Sequence, residues 1–290
     1  MASQREPGLA WDVVVVDNED PPGAESVFER AAAELRVPVR YVREPAKGAS
    51  NTRNRGMAEA TGDIIAFLDD DVVPRDDWLR EVVEPIAAGR FDGIGGRVLL
   101  DDAVPHPSWL RGYQAAYLAE YDLGDGERAL AVDDAAYLLT ANAAFDASVL
   151  RATGGFDPLL GPQPDRPTVN DDLDICRRFR SAGGVIGYSP SAIVVHELPP
   201  ERLTLRYMVR RAFAQGVSDY LVDRERLATH RFGGIRGRGI EAVRDVGRIV
   251  RGGPWRSWVA MSLVTSVSRS AGYGTEAVQT KLRSRTRGPT

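Results

Sequence analysis

The sequence holds one cysteine, Cys176, among its 290 residues. No disulfide can form within the chain, so nothing in it requires an oxidising compartment. Cys176 falls inside a helical pattern and reads as core. Met1 to Ala10 lack the apolar run of a secretory signal. No stretch reaches the roughly 18 uninterrupted apolar residues of a membrane span. Trp255 to Val267 comes nearest, but it is short and broken by serines. No internal repeat is visible, and no Gly-Lys-Ser/Thr stands at the spacing of a Walker loop. These absences lead to the expectation of a cytoplasmic protein, touching a membrane at most peripherally and at its inner face.

What is present is ordinary for a globular chain, with 43% hydrophobic and 27% charged residues. The net charge of -4 conceals an asymmetry. The first 200 residues carry 34 acids and 19 bases, and the last 90 carry 7 and 18. Residues 1–200 are therefore expected to form one domain and 201–290 a basic helical extension, with Gly233 to Gly239 as a linker. An acidic half suits metal recruitment. A basic half suits phosphate or anionic lipid, or is simply a solvated tail.

Val13 to Val16 are apolar at every position, as in a strand buried on both faces, and Asp17-Asn18 end the run. A helix over Glu25 to Leu35, a strand over Val39 to Val42, a helix over Asn51 to Thr61 and a strand over Ile64 to Leu68 follow. Asp76 to Ala88 reads as a further helix. This alternation implies a mostly parallel, Rossmann-like sheet flanked by helices. Beyond it the pattern predicts strands over Gly93 to Leu100, Tyr137 to Phe145, Val185 to Tyr188 and Ala192 to His196. A helix is expected over Asp172 to Ala182, and a partly helical aromatic stretch over Pro105 to Asp125.

Ligands in open α/β sheets bind at the carboxyl ends of the strands. Asp69-Asp70-Asp71 sit there, and clustered carboxylates repel unless a cation neutralises them. Mg²⁺ or Mn²⁺ with a diphosphate would do so; an acidic surface turn is the plain alternative. Asp17-Asn18 end another apolar strand, either to accept from a base or ribose or to cap the loop. Lys47 to Gly56 opens a helix with small, polar and basic residues, which suits an anion or is ordinary capping. Asp171, Asp172 and Asp174 lie in a helix's first turn, where the dipole favours acids and where a general base is equally placed. His196 ends a strand, structural or a ligand. Trp109, Tyr113, Tyr117 and Tyr121 recur every four residues, as amphipathic core or as a platform for a sugar.

In order, Val13 to Asn18, Arg53-Asn54-x-Gly56, Gly62-Asp63-Ile64-Ile65-Ala66-Phe67-Leu68-Asp69-Asp70-Asp71, Ala141 to Phe145, Gly154-Gly155-Phe156-Asp157, Asp171-Asp172-Leu173-Asp174 and Tyr188-x-Pro190 to His196 resemble the inverting family 2 glycosyltransferases of the GT-A fold. The resemblance spans about residues 11 to 216. It implies a hexosyltransferase of cell-envelope or polysaccharide synthesis, using a nucleotide-sugar donor and a glycan or lipid-linked acceptor, with no nucleic-acid partner. It implies that Asp17, Asn18, Arg53, Asp69 and Asp70 face the donor nucleotide. Asp71, with His196, would bind a divalent metal, and Asp172, with Asp171 beside it, would supply the catalytic base. Asn142, Trp109 and Arg211 become candidates for acceptor or phosphate contact. One departure is that the strand and helix that usually precede the Val13 strand are missing, so either an upstream extension is expected in the natural protein or the protein is a natural variant with a re-formed sheet. A non-catalytic nucleotide-sugar-binding or scaffold protein is the alternative, and a nucleotidyltransferase a third.

Overall fold

The structure, a computed structural model, describes residues 1–19, 25–131, 137–229 and 256–286. The expected linker at Gly233 to Gly239 lies outside these. The chain divides into two compact units.

The first unit comprises Met1–Asp101, Ala119–Pro164 and Asp171–Glu197. It begins with β1 (Val13–Asp17), α1 (Glu25–Glu34) and β2 (Val39–Arg43), a parallel pair with Val13 opposite Val39. Helix α2 (Ala49–Glu59) lies over β1, with Gly56 facing Val16. The main sheet has six strands: β3 (Ile64–Leu68), β4 (Val72–Pro74), β5 (Gly93–Leu100), β6 (Arg128–Ala129), β7 (Asn142–Asp146) and β8 (Ile186–His196). Its order is β3-β7-β5-β8-β4, with β6 on β8. The α/β class and the flanking helices are as expected, but the sheet is mixed. Only β5–β8 is parallel; β3–β7, β5–β7, β4–β8 and β6–β8 are antiparallel. The two sheets share no strand pairing among the described residues. Among the described residues neither the outer edge of β1 nor that of β3 has a strand partner.

Period-two alternation loads both faces of the main sheet. Ala143 and Phe145 of β7 point into one core with Ile175, Cys176 and Phe179 of α6 (Asp171–Ser181) and Leu150 of α5 (Ala147–Ala152). Ala144 points into the other, against Trp78, Leu79, Val82 and Ile86 of α3 (Trp78–Ala87). Cys176 is fully buried, as expected, and burial pushes its thiol up to about 12.

Two expected strands, Val185 to Tyr188 and Ala192 to His196, are one. Strand β8 runs through Pro190, which cannot donate to a ladder. The register absorbs it: Gly96 pairs with Ser189, and Arg97 with Ile193. Gly96 allows this, because a Cβ there would lie 1.9 Å from the Ala192 carbonyl oxygen. Asn142 completes the irregularity. Its amide donates to the carbonyls of Arg97 (2.9 Å) and Ala192 (2.8 Å) and accepts from Trp78 Nε1 (2.8 Å). Expected as an acceptor or phosphate contact, Asn142 is instead a fully buried core residue with no free polar group to offer. The strand expected from Tyr137 starts only at Asn142 because Leu139 to Asn142 form a turn.

The second unit comprises Asp102–Leu118, Asp165–Asn170 and Leu198–Thr290. The aromatic stretch is helical only over α4 (Tyr113–Ala116); Trp109 lies in a turn before it. Helices α7 (Leu205–Thr229) and α8 (Arg256–Thr286) pack backbone to backbone. A Cβ at Gly216 would lie 1.8 Å from the Arg269 carbonyl oxygen. Asp219 receives Asn170 Nδ2 (3.0 Å), Gln215 Nε2 (3.1 Å) and Arg269 Nε (2.7 Å). No helix among the described residues is long and apolar enough to cross a membrane.

Candidate active site

The site grows from α2. Its N-terminal half carries Arg53, whose guanidinium donates to both Asp69 oxygens (2.9 and 3.2 Å) and to Asp171 Oδ2. Arg53 therefore bridges the acidic turn after β3 and the first turn of α6. Burial works against its charge, but Asp69, Asp171 and Asp172 outweigh it and hold the group protonated, above its ordinary value. The other motif residues on α2 fix its position. Asn54 pairs with both backbone groups of Phe156, Nδ2 to O (2.8 Å) and N to Oδ1 (2.7 Å). Ser50, buried, donates to the Leu160 carbonyl (2.9 Å).

Asp69, Asp70 and Asp71 form the turn between β3 and β4. Asp70 is exposed at its middle and Asp69 and Asp71 are half-buried. The three-residue strand β4 decides where Asp71 goes. Val72 pairs with His196, and Glu197 N donates to the Asp71 carbonyl (2.9 Å). His196 Nε2 consequently lies 3.1 Å from Asp71 Oδ2, with the His196 side chain buried. One carboxylate and one imidazole fit a hard divalent cation whose remaining positions go to water and substrate phosphate. Among the described residues no group of three or more His, Cys, Asp and Glu forms a closed cage.

Asp171 and Asp172 begin α6. Asp171 is buried against Arg53. Asp172 is half-buried, and its Oδ1 receives both Thr140 N (3.1 Å) and Thr140 Oγ1. Burial raises the Asp172 carboxyl well above the usual carboxylate range, and the Asp171 charge raises it further. The Arg53 charge and the Thr140 hydroxyl pull it back. The surroundings of Asp172 therefore disfavour its ionised form.

Asp17 and Asn18 are both engaged within the fold. Asp17 accepts from Glu19 N (2.8 Å) and Tyr41 Oη. The Tyr41 bond and the Glu19 amide lower its pKa, and Tyr41 is pushed up to about 12. Asn18 Nδ2 donates to the carbonyls of Glu44 and Ala46 (both 2.7 Å) and its Oδ1 accepts from Gly48 N (2.9 Å). Asn18 is thus a staple for the loop that opens α2. Trp109 and Arg211 belong to the second unit, where the Arg211 guanidinium lies 5.3 Å from the centre of the Tyr117 ring. Ser50 lies in the Lys47 to Gly56 segment, whereas Thr140 and Tyr41 carry no local signal in the sequence. Each meets a partner at least 24 residues away, and no local pattern marks such pairs.

Residues 1–141 match the model of the family described as Glycosyl transferase family 2. The chain is 28% identical over 227 residues to the pre-mycofactocin glycosyltransferase of Mycobacterium tuberculosis, covering 78% of this chain and 42% of that protein. It is 29% identical over 210 residues to the succinoglycan biosynthesis protein ExoM of Rhizobium meliloti, covering 70% and 62%. The chain thus spans less than two thirds of the length of either relative. Its fold is similar to that of the mannosyltransferase PcManGT from Pyrobaculum calidifontis, solved with GDP-Man and Mn²⁺ (TM-score 0.51, 17% identity, 96% of this chain and 67% of that one). It is also similar to S. aureus TarS (TM-score 0.52, 14% identity, 94% and 51%). The match to glycosyl transferase family 2 thus rests on residues 1–141, a little under half of the chain, and the likeness to these relatives and folds agrees with it.

Proposed function

We propose that the protein transfers a sugar from a nucleotide-diphosphate donor to an acceptor hydroxyl by a single inverting displacement. The observation that carries this reading is the convergence on Arg53 of two acidic segments, Asp69 after β3 and Asp171 at the start of α6. The arrangement separates two tasks. Asp172, the carboxylate with a raised proton affinity, takes the acceptor's proton as its oxygen attacks the anomeric carbon. Asp71 and His196 hold a divalent cation, Mg²⁺ or Mn²⁺, which when bound stabilises the departing diphosphate as a Lewis acid. Asp69, with Arg53 beside it, faces the ribose and nucleotide. The glycan or lipid-linked acceptor and a basic C-terminal segment resting on an anionic inner membrane face complete the proposal.

The test is a thermal-shift screen of UDP, GDP and dTDP with and without Mn²⁺, on the wild type and on Asp71→Ala. A ligand that binds only the native state raises Tm. The expected result is a metal-dependent rise with one nucleotide, lost in Asp71→Ala. No rise with any nucleotide, in a protein that melts cooperatively, would overturn the donor site and leave a scaffold role.

A further inference from the structure

Asp172 is held by a residue that the reaction as proposed does not use. Thr140 is fully buried, and both its backbone N–H and its hydroxyl point at the same oxygen, Asp172 Oδ1. Two fixed points bracket it. On one side the Leu138 amide donates to Cys176 Sγ (3.3 Å), tying the segment to α6 one turn beyond Asp172. On the other, the Leu139–Asn142 turn ends in the three side-chain hydrogen bonds of the buried Asn142. Thr140 therefore cannot follow Asp172 if the carboxylate rotates; it defines where the carboxylate sits. A buried hydroxyl has no water to turn to, so its one proton is committed to this oxygen.

Resting on the reading of Asp172 as the base, we propose that Thr140 is its positioning residue. It fills Oδ1 with two donors and leaves Oδ2 as the oxygen that receives the acceptor's proton. The charged and titratable groups facing Asp172 are Asp171 and Cys176 on its own helix, Arg53 on α2 and Asp69 after β3. Arg53 is engaged with Asp69 and Asp171. The neutral donors to Asp172 are then the Thr140 amide and hydroxyl, and of these the hydroxyl is the one a substitution can remove; a hydrogen bond to the charged form favours it. Without the hydroxyl, burial and the Asp171 charge act with less opposition, so the carboxyl should titrate at higher pH and turn more freely.

The experiment compares wild type with Thr140→Val, Thr140→Ser, Thr140→Ala and Asp172→Asn in the full chain. The carboxyl ¹³C resonance of Asp172, assigned by its loss in Asp172→Asn, is followed against pH. In parallel, metal-dependent release of nucleoside diphosphate from UDP-glucose and GDP-mannose is followed across the same range. Thr140→Val should move the Asp172 midpoint, and with it the acid limb of turnover, upward by about one pH unit. Thr140→Ser should restore both, and the Tm shift produced by nucleotide should be unchanged throughout. Thr140→Ala carries the same expectation should the valine variant not fold. Wild-type midpoints and turnover in Thr140→Val or Thr140→Ala, with Asp172→Asn inactive, would overturn the positioning role and leave the base. Turnover retained by Asp172→Asn would overturn the base and, with it, the role of Thr140.

Discussion

Asn142→Leu should cost stability and leave nucleotide binding alone. The replaced side chain is fully buried and satisfies three partners: the Trp78 indole N–H and the carbonyls of Arg97 and Ala192. Leucine supplies none of these bonds and admits no water. An orphaned buried donor costs about 1–3 kcal/mol, and carbonyls, with two lone pairs, fall at the low end of that range. The sum is about 3–5 kcal/mol, a large part of the roughly 5–15 kcal/mol that holds a domain together. Asn142→Asp is a sharper case, because it keeps an acceptor for Trp78 but turns an oxygen toward two carbonyl oxygens; it should cost at least as much. Urea unfolding followed by tryptophan fluorescence and far-ultraviolet circular dichroism measures the loss, with an unchanged m-value showing that the unfolded state is the same. A loss below about 1 kcal/mol would refute the reasoning. So would a variant of normal stability that no longer binds nucleotide, which would return Asn142 to the ligand-contact role its place in the motif first implied.

Other consequences follow from the same contacts. Tyr41→Phe removes the bond that lowers the Asp17 pKa. The destabilisation should be present above the ordinary aspartate pKa and vanish as pH falls through the lower folded value, as urea midpoints across the acid range will show. Asp172 has the opposite sign. Its raised pKa costs stability as pH rises through the folded value, so Asp172→Asn should melt higher than wild type at pH 8, with the gain gone near pH 4, while abolishing turnover. The basic C-terminal segment should bring the protein down with vesicles containing anionic lipid and not with neutral ones; sedimentation indifferent to lipid charge would count against membrane contact.

The carboxyl ends of the strands were legible because unbroken apolar runs mark strands: Val13 to Val16 and Ile64 to Leu68 are such runs and acids follow both, although the burial on both faces that the runs implied is not met, since most of these side chains are half-buried. The direction of the sheet was not. The alternation of strands and helices up to Ala88 reads as parallel, but the long connection after Leu100 returns as β7, antiparallel to both β3 and β5. Strand β4 has three residues, too few for a pattern, yet its pairing with β8 brings His196 to Asp71. The segment Lys47 to Gly56, which contains Arg53-Asn54-x-Gly56, read as an anion site or as ordinary capping. In the fold its residues divide the work: Arg53 binds carboxylates, Asn54 ties down Phe156 and Gly56 faces Val16 of β1. The partner of Asn54 lies 102 residues away, and only the closed fold supplies such a distance.

The two halves of the site rest on different supports, and this has a measurable consequence. Thr140 and Asp172 are anchored in the main sheet and its core, where Ala143, Ala144 and Phe145 of β7 are fully buried. Asp17 is carried by β1, whose four valines are only half-buried and whose one strand partner among the described residues is β2. A two-stranded sheet is marginal by itself. Here its attachment falls to α2 and to Asn18, which joins the Glu44–Gly48 loop through three hydrogen bonds. Segments with few buried apolar contacts open below the global unfolding free energy. The amides of Val14 to Val16 should therefore exchange with solvent faster than those of Ala143 to Phe145. Asn18→Ala should speed the former without changing the latter, and a nucleotide that bridges Asp17 and Asp69 should slow them. Equal protection of the two strands would mean that they open as one cooperative unit, and that the unpaired edges of β1 and β3 do not weaken the donor side of the site.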